Sequence, residues 1–186
     1  MKPEPVRTDM PVVAIIALLG LIVTLLGALI APPARAQTDP GFVNYPGFLE
    51  LGAEIAAYRE TRLIDIDTLN AMKAYPDTII IDARSAGSYA LGHIEGAVNL
   101  NFSDFSAGML SEVIGSKSRR ILIYCNNNFS DNIAPVVLKS APLALNVPTF
   151  INLYGFGYEN IHELSGAYSI EDTEIDWVTR PTYQEN

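Results

Sequence analysis

The chain alternates between three hydrophobic regimes. Residues 11–30 are an almost unbroken apolar run, residues 42–164 break into short apolar segments punctuated by Gly, Pro, Asn and Asp, and the chain from Ile170 onward is acidic and sparse in apolar positions. In the middle regime the period changes from segment to segment. Phe42, Phe48, Leu49, Leu51, Ile55, Ala56 and Tyr58 mark a leading segment, within residues 37–61, that becomes helical from about Phe48. Asp67 and Thr68 offer an N-cap for a helix through Tyr75, which Pro76 and Asp77 end. Thr78-Ile-Ile-Ile-Asp82 is a run of β-formers between turn signals and predicts a strand. Ser85 to Leu91 predicts a short helix closed by Gly92, and Ala97-Val98-Asn99 a short strand. Phe102, Phe105, Met109, Leu110, Val113 and Ile114 then recur at helical spacing until Gly115 and Ser116.

Arg120-Ile-Leu-Ile-Tyr124 is a second continuous apolar strand. Beyond it the pattern predicts a helix over Ile133 to Lys139 with Pro135 in its first turn, an irregular stretch over 141–149, and a helix from Thr149 to Tyr154 closed by Gly155 and Gly157. Asn160-Ile-His-Glu-Leu164 is the last strand. The tail offers only Ile175, Trp177 and Val178 for docking. Strands that are apolar throughout, alternating with helices, predict one α/β domain whose mainly parallel sheet is covered on both faces.

The first regime has a different purpose. Lys2 and Arg7 precede the apolar run, and Ala34 and Ala36 give the small-x-small ending that a signal peptidase cuts, so residues 1–36 read as an export signal with Gln37 as the first mature residue. Twenty apolar positions also suffice to span a bilayer as an uncleaved anchor. Either way the expected location of the domain is outside the cytoplasm, periplasmic or secreted, with a membrane attachment only if the segment is kept.

Charge and cysteine content narrow the chemistry. Residues 37–186 carry 19 acidic and 9 basic side chains, without a basic cluster, which argues against nucleic acid as a partner. One cysteine in an exported chain cannot form an internal disulfide, so Cys125 is an inert buried thiol, an intermolecular linker or a reactive group. Its position favours the last: it ends a buried strand and precedes Asn126-Asn127-Asn128-Phe129-Ser130-Asp131-Asn132, a cluster of turn formers. Ligands in open α/β sheets bind at the carboxyl ends of strands, so the thiol is expected at a strand-to-helix turn with access to solvent. No clustered set of His and Cys ligands predicts a metal, and no cofactor motif is present.

Three motifs in order carry a resemblance to the rhodanese-like domains. Thr78-Ile-Ile-Ile-Asp-Ala-Arg-Ser85 followed by Tyr89-Ala-Leu-Gly-His-Ile-Glu-Gly-Ala-Val98 is similar to the family's first signature. Ile121-Leu-Ile-Tyr-Cys125 matches the strand that delivers its cysteine, and Gly157-Tyr-Glu-Asn-Ile-His-Glu-Leu-Ser-Gly166 its closing strand. The resemblance covers about residues 62–167, with an insertion near 141–149 and an acidic tail over 168–186. It implies a three-layer α/β sandwich with a mainly parallel central sheet. It also implies a sulfurtransferase or sulfane-sulfur carrier in which Cys125 becomes a persulfide, Asn126, Asn127, Asn128, Phe129 and Ser130 form the substrate loop, and Asp82, Arg84 and His93 support it. The partners implied are a small sulfane-sulfur donor and a thiol acceptor.

The loop departs from the family pattern. Where the sulfurtransferases usually hold an Arg, five residues past the cysteine, this chain has Ser130, and no Gly lies between. A loop of backbone N–H groups at a helix N-terminus still lowers a thiol pKa and stabilises an anionic persulfide. The three Asn residues are expected to take left-handed angles and to add amide donors. Asp131, or Ser130, would compete as a helix cap or oppose ionisation. Without the Arg, an oxyanion such as thiosulfate loses roughly 1.5–3 kcal/mol, so poor thiosulfate turnover is expected. Arg119 and Arg120 lie at the far end of the strand, roughly 16 Å away.

Other residues read as structural. His93 follows a helix and fixes a turn, His162 lies inside the last strand, and Asp82 with Arg84 organises the loops. Asn101-Phe-Ser103 and Asn128-Phe-Ser130 match a glycosylation pattern that matters only in a eukaryotic secretory route. The competing function is a catalytically weak domain that binds a protein partner. A cysteine phosphatase needs a loop Arg that is absent from Cys125 to Asn132.

Overall fold

A computed structural model describes residues 42–179, and the fold below is that of the unit Asn44–Asn186. The export signal expected over residues 1–36 lies outside the described residues. Among the described residues no helix is long and apolar enough to cross a membrane.

Helix α1 (Tyr45–Glu60) starts three residues earlier than its apolar spacing predicts. The Asn44 side chain accepts a hydrogen bond from the Gly47 N–H at 2.9 Å, and Pro46 sits in the first turn, where no N–H is needed. After β1 (Leu63–Ile64), helix α2 (Ile66–Lys73) is capped by Asp65, whose carboxylate accepts from the Thr68 N–H at 2.9 Å. The expected caps, Asp67 and Thr68, therefore lie inside the first turn, because Asp65 is the residue with extended backbone.

Strand β2 (Thr78–Asp82), helix α3 (Ala86–Leu91) capped by Ser85, and strand β4 (Ala97–Asn99) fall where the pattern puts them, with a two-residue β3 (His93–Ile94) between the last two. The helical spacing over 102–114 splits into a 3-10 turn (Phe102–Asp104) and α4 (Ala107–Val113), because Ser106 accepts from the Met109 N–H and starts a new helix. Strand β5 (Arg120–Tyr124) leads into a 3-10 turn over Asn126–Asn128.

The helix expected over Ile133 to Lys139 does not form. Asn side chains take the backbone groups a helix would use: Asn126 Nδ2 donates to the Val137 carbonyl, Asn127 Nδ2 to the Lys139 carbonyl, and Asn132 Oδ1 accepts from the Leu138 N–H. Pro135 offers no N–H at all. The stretch expected to be irregular, 141–149, holds a 3-10 turn (Ala141–Leu143), and helix α5 (Asn146–Gly155) begins three residues before Thr149 with Pro148 in its first turn. Strand β6 (Ile161–Leu164) follows. The tail docks through the residues expected: Ile175, in a 3-10 turn (Thr173–Ile175), is fully buried, and β7 (Trp177–Val178) pairs antiparallel with β3.

The central sheet has order β1-β6-β5-β2-β4 and every pair is parallel. Its side chains alternate between two cores. Ile79, Ile81, Ile121, Ile123 and Ile161 pack with Ile55 of α1, Leu110 of α4, and Phe150 and Leu153 of α5. Ile80, Leu122, Tyr124 and Leu164 pack on the other side with Ile66 and Leu69 of α2, and with Phe129, Val136 and Ile175. That is why β2 and β5 read as continuous apolar runs rather than alternating ones. The result is the three-layer α/β sandwich implied by the resemblance, with the carboxyl ends of β2 and β5 adjacent: Asp82 pairs with Tyr124 one residue before Cys125.

Candidate functional site

Cys125 is fully buried, contrary to the solvent access expected of it. The segment after the loop is tied back onto it by amides. Asn127 Nδ2 donates to the Lys139 carbonyl at 2.7 Å and Asn127 Oδ1 accepts from the Lys139 N–H at 3.2 Å, while Asn126 Nδ2 holds the Val137 carbonyl at 2.6 Å. The Asn side chains are thus spent on the protein itself, not held ready for a substrate. Nor do the three Asn residues supply left-handed backbone; Asn132, with φ 50°, does.

Backbone donors converge on the sulfur. The Asn127 N–H lies 3.4 Å from Cys125 Sγ. Helix α5 has no side-chain cap at Leu145, so its first N–H groups lack intrahelical partners. Burial pushes the thiol pKa up; the Asn127, Asn146 and Leu145 N–H groups pull it down, and the Glu163 carboxylate pushes it up again, for a net rise. The helix N-terminus at the thiol is therefore that of α5, about twenty residues downstream in the chain.

Below the thiol runs a buried polar chain. Cys125 N–H donates to Asn128 Oδ1 at 2.8 Å, and Asn146 Nδ2 donates both to that oxygen at 3.0 Å and to Glu163 Oε1 at 3.3 Å. Arg59 of α1 closes the chain with a two-pronged pair, Nε to Oε2 at 2.7 Å and Nη2 to Oε1 at 2.6 Å. Glu163 is 4% exposed. Sequence reasoning missed Arg59, Asn146 and Glu163; the one signal available was a carboxylate inside an otherwise apolar strand.

The remaining loop positions turn away. Phe129 is fully buried against Tyr124 and Trp177, edge to face with each. Ser130 is exposed and its N–H donates to the Tyr168 carbonyl. Asp131, expected to cap a helix or oppose the thiol, instead accepts from Ser169 Oγ and the Ile170 N–H, which hold its pKa below the usual carboxylate range. Asn128 is buried with its amide on the Leu164 carbonyl, so its glycosylation motif is out of reach.

Asp82 and Arg84 form a fully buried ion pair, with Arg84 Nη2 to Asp82 Oδ2 at 2.5 Å and Nε to Oδ1 at 3.0 Å. Tyr124 donates to Asp82 Oδ2 at 2.6 Å and accepts from the Ile94 N–H. Arg84 also donates to the Gly92 carbonyl and to the Pro135 carbonyl, so the pair ties its own strand end to the Gly92 turn and to the segment after the cysteine loop. Burial works against the Arg84 charge, but the Asp82 contacts outweigh it and its pKa rises. His93 stacks on Tyr89 with ring centroids 3.8 Å apart, and its Nδ1 lies 2.9 Å from the Tyr89 carbonyl. Arg120 bonds Thr78 and Arg119 the Ile114 carbonyl, both at the start of β5.

Comparison with known proteins places these features. The tRNA uridine(34) hydroxylase of Bradyrhizobium diazoefficiens is 38% identical over 68 residues, which is 33% of this chain and 26% of that protein; the match thus spans about a quarter of that relative's length. Among solved structures, the Alr3790 protein of Anabaena sp. is 24% identical with a TM-score of 0.43, covering 56% of this chain and 80% of that one. EanB, solved in complex with hercynine, is 20% identical with a TM-score of 0.43, covering 55% and 23%. The rhodanese-like domain family matches residues 65–169, more than half the chain, and takes in the Asp82–Arg84 strand end, the Cys125 loop and the closing strand together. The chain belongs to the rhodanese-like domain family.

Proposed function

We propose that the chain is an exported sulfurtransferase or sulfane-sulfur carrier that works through a persulfide on Cys125. The observation that carries this reading is the place of the chain's one thiol, at the end of β5 with the Asn127 N–H 3.4 Å from its sulfur and the start of α5 tied to its loop through Asn146 and Asn128. In the reaction, Cys125 loses its proton to solvent and the thiolate attacks the terminal sulfur of a donor. The new Sγ–S bond forms as the donor's S–S bond breaks, or the C–S bond in mercaptopyruvate, and the rest of the donor leaves with the electron pair. An acceptor thiolate then attacks the outer sulfur and releases the Cys125 thiolate. The N–H groups stabilise the anion at each stage.

Because the thiol is buried and its pKa raised, the cover over it has to open before donor and sulfur meet. The missing loop Arg makes inorganic thiosulfate a poor donor. The tRNA named for the Bradyrhizobium relative is not assigned here, because acidic residues outnumber basic ones 21 to 12. The site of action is the periplasm or the exterior, with a membrane attachment if residues 1–36 are retained.

The test is mass spectrometry of the purified chain after exposure to thiosulfate, mercaptopyruvate or a small organic persulfide. A one-sulfur adduct on Cys125, absent from Cys125→Ser, is expected; no adduct from any donor overturns the reading. The burial of the thiol supports a second reading, in which the domain binds a protein partner without chemistry. On that reading Cys125→Ser keeps the cellular role, and a null phenotype refutes it.

A further inference from the structure

A groove of about 540 Å³ opens where the segment after the cysteine loop meets the start of α5, lined by Phe48, Phe102, Lys139, Leu143, Leu145 and Pro148 among others. It is joined to Cys125 at two points. Leu145 lines the groove and precedes Asn146, whose Nδ2 donates to the same Asn128 oxygen that accepts from the Cys125 N–H. Lys139 lines it too, and its backbone is the one held by Asn127, whose own N–H lies on Cys125 Sγ. The walls are apolar, and Leu143 is 68% exposed. The Lys139 ammonium is without an ion-pair or hydrogen-bond partner among the described residues, on a chain whose net charge is −9.

On the sulfur-transfer reading above, we propose that this groove receives the apolar body of an organic, anionic sulfane-sulfur donor. Its size and walls fit a small organic molecule. An inorganic oxyanion would leave the apolar walls empty and meet no guanidinium. The donor anion is attracted by the Lys139 ammonium, the one cation of the rim. A donor anion that accepts from the Lys139 N–H displaces Asn127 Oδ1 from it, so occupancy of the groove loosens the cover over the thiol. With an arenethiosulfonate, the Cys125 thiolate attacks the terminal sulfur, the Sγ–S bond forms, and the arenesulfinate leaves with the electron pair of the broken S–S bond. No external oxidant or reductant is needed.

The experiment compares toluenethiosulfonate, methanethiosulfonate and thiosulfate as donors to dithiothreitol, with the purified full chain. The aryl donor is expected to exceed both others in kcat/KM by about tenfold or more. Leu143→Asp should remove that advantage, and Lys139→Ala should raise KM for the aryl donor about threefold. Equal kcat/KM for the three donors, or an unchanged Leu143→Asp protein, overturns the proposal. Calorimetry with unreactive toluenesulfonate separates it from the transfer reading, since binding to the wild type and not to Leu143→Asp needs no chemistry. No binding, or equal binding to both, overturns the groove alone. Binding without sulfur on Cys125 from any donor overturns the transfer reading and the donor role with it. Concentration-dependent dimerisation that Leu143→Asp abolishes assigns the groove to a second copy and also overturns the proposal.

Discussion

Asn127 grips the backbone of Lys139 by both of its polar groups, Nδ2 on the carbonyl at 2.7 Å and Oδ1 on the N–H at 3.2 Å. These two bonds lie at the surface and tie the segment after the loop, the proposed cover, to the loop of a fully buried thiol. Asn127→Ala removes both. At about 0.7 kcal/mol each they shift the opening of the cover by about tenfold. Alkylation of Cys125 by iodoacetamide at fixed pH is expected to speed up by about that factor, with a loss of about 1 kcal/mol in urea unfolding. An unchanged alkylation rate would mean that the cover is held elsewhere.

The thiol pKa gives a second prediction. Burial first, and the Glu163 carboxylate also, raise it, so Cys125 is protonated at neutral pH and its alkylation rate climbs with pH past the ordinary thiol value of about 8.5. Glu163→Gln removes a negative charge that opposes the thiolate. Its alkylation profile should move to lower pH, and a profile that stays or moves upward contradicts the assignment of Glu163 to the site.

The buried ion pair behind the loops predicts a different loss. Asp82→Ala leaves the Arg84 charge buried and unpaired, which costs about 3–5 kcal/mol and is a large part of the stability of a domain this size. Tyr124→Phe removes one donor to Asp82 and one acceptor for Ile94, at about 1–3 kcal/mol. Urea unfolding measures both, and a Tyr124→Phe protein less stable than Asp82→Ala would reverse the roles given to them.

His162 makes stability depend on pH near neutrality. Its pKa is lowered, by burial first and then by the charges of Arg62 and Arg120. The unfolded chain takes up the proton near pH 6.5, the folded chain only at lower pH, so between the two values the unfolded state holds more protons. Stability is therefore full above that range, falls as pH drops through about 6.5, and levels off below the folded value. The thermal midpoint should decline from pH 7.5 to 5.5 and do so less in His162→Gln. Asp65 and Asp131, whose pKa values are lowered, lose their contribution only below about pH 4.

The sheet was legible because β2 and β5 are buried on both faces, a condition that writes itself as uninterrupted Ile and Leu. The thiol's place at the end of β5 followed from that run. Its burial did not, because residues 133–139 have a composition a helix tolerates, and what prevents one is hydrogen bonding from Asn126, Asn127 and Asn132, side chains that read equally well as turn formers. Glu163 was visible as a charge in an apolar strand, but its partner Arg59 lies 104 residues away. Asp82 and Arg84 were easier, being two residues apart on one strand end.

Trp177 extends the meaning of the domain's edge. Its indole packs so closely on Gly92 that a Cβ there would lie 2.5 Å from Nε1, and its ring also meets Phe129 and the Arg84 guanidinium. Family likeness ends at residue 169, yet the strand that seals Phe129 and Arg84 lies at 177–178. The packed unit is thus longer than the stretch the family matches: a chain stopped at residue 169 would keep every motif and lose the wall against Phe129 and Arg84.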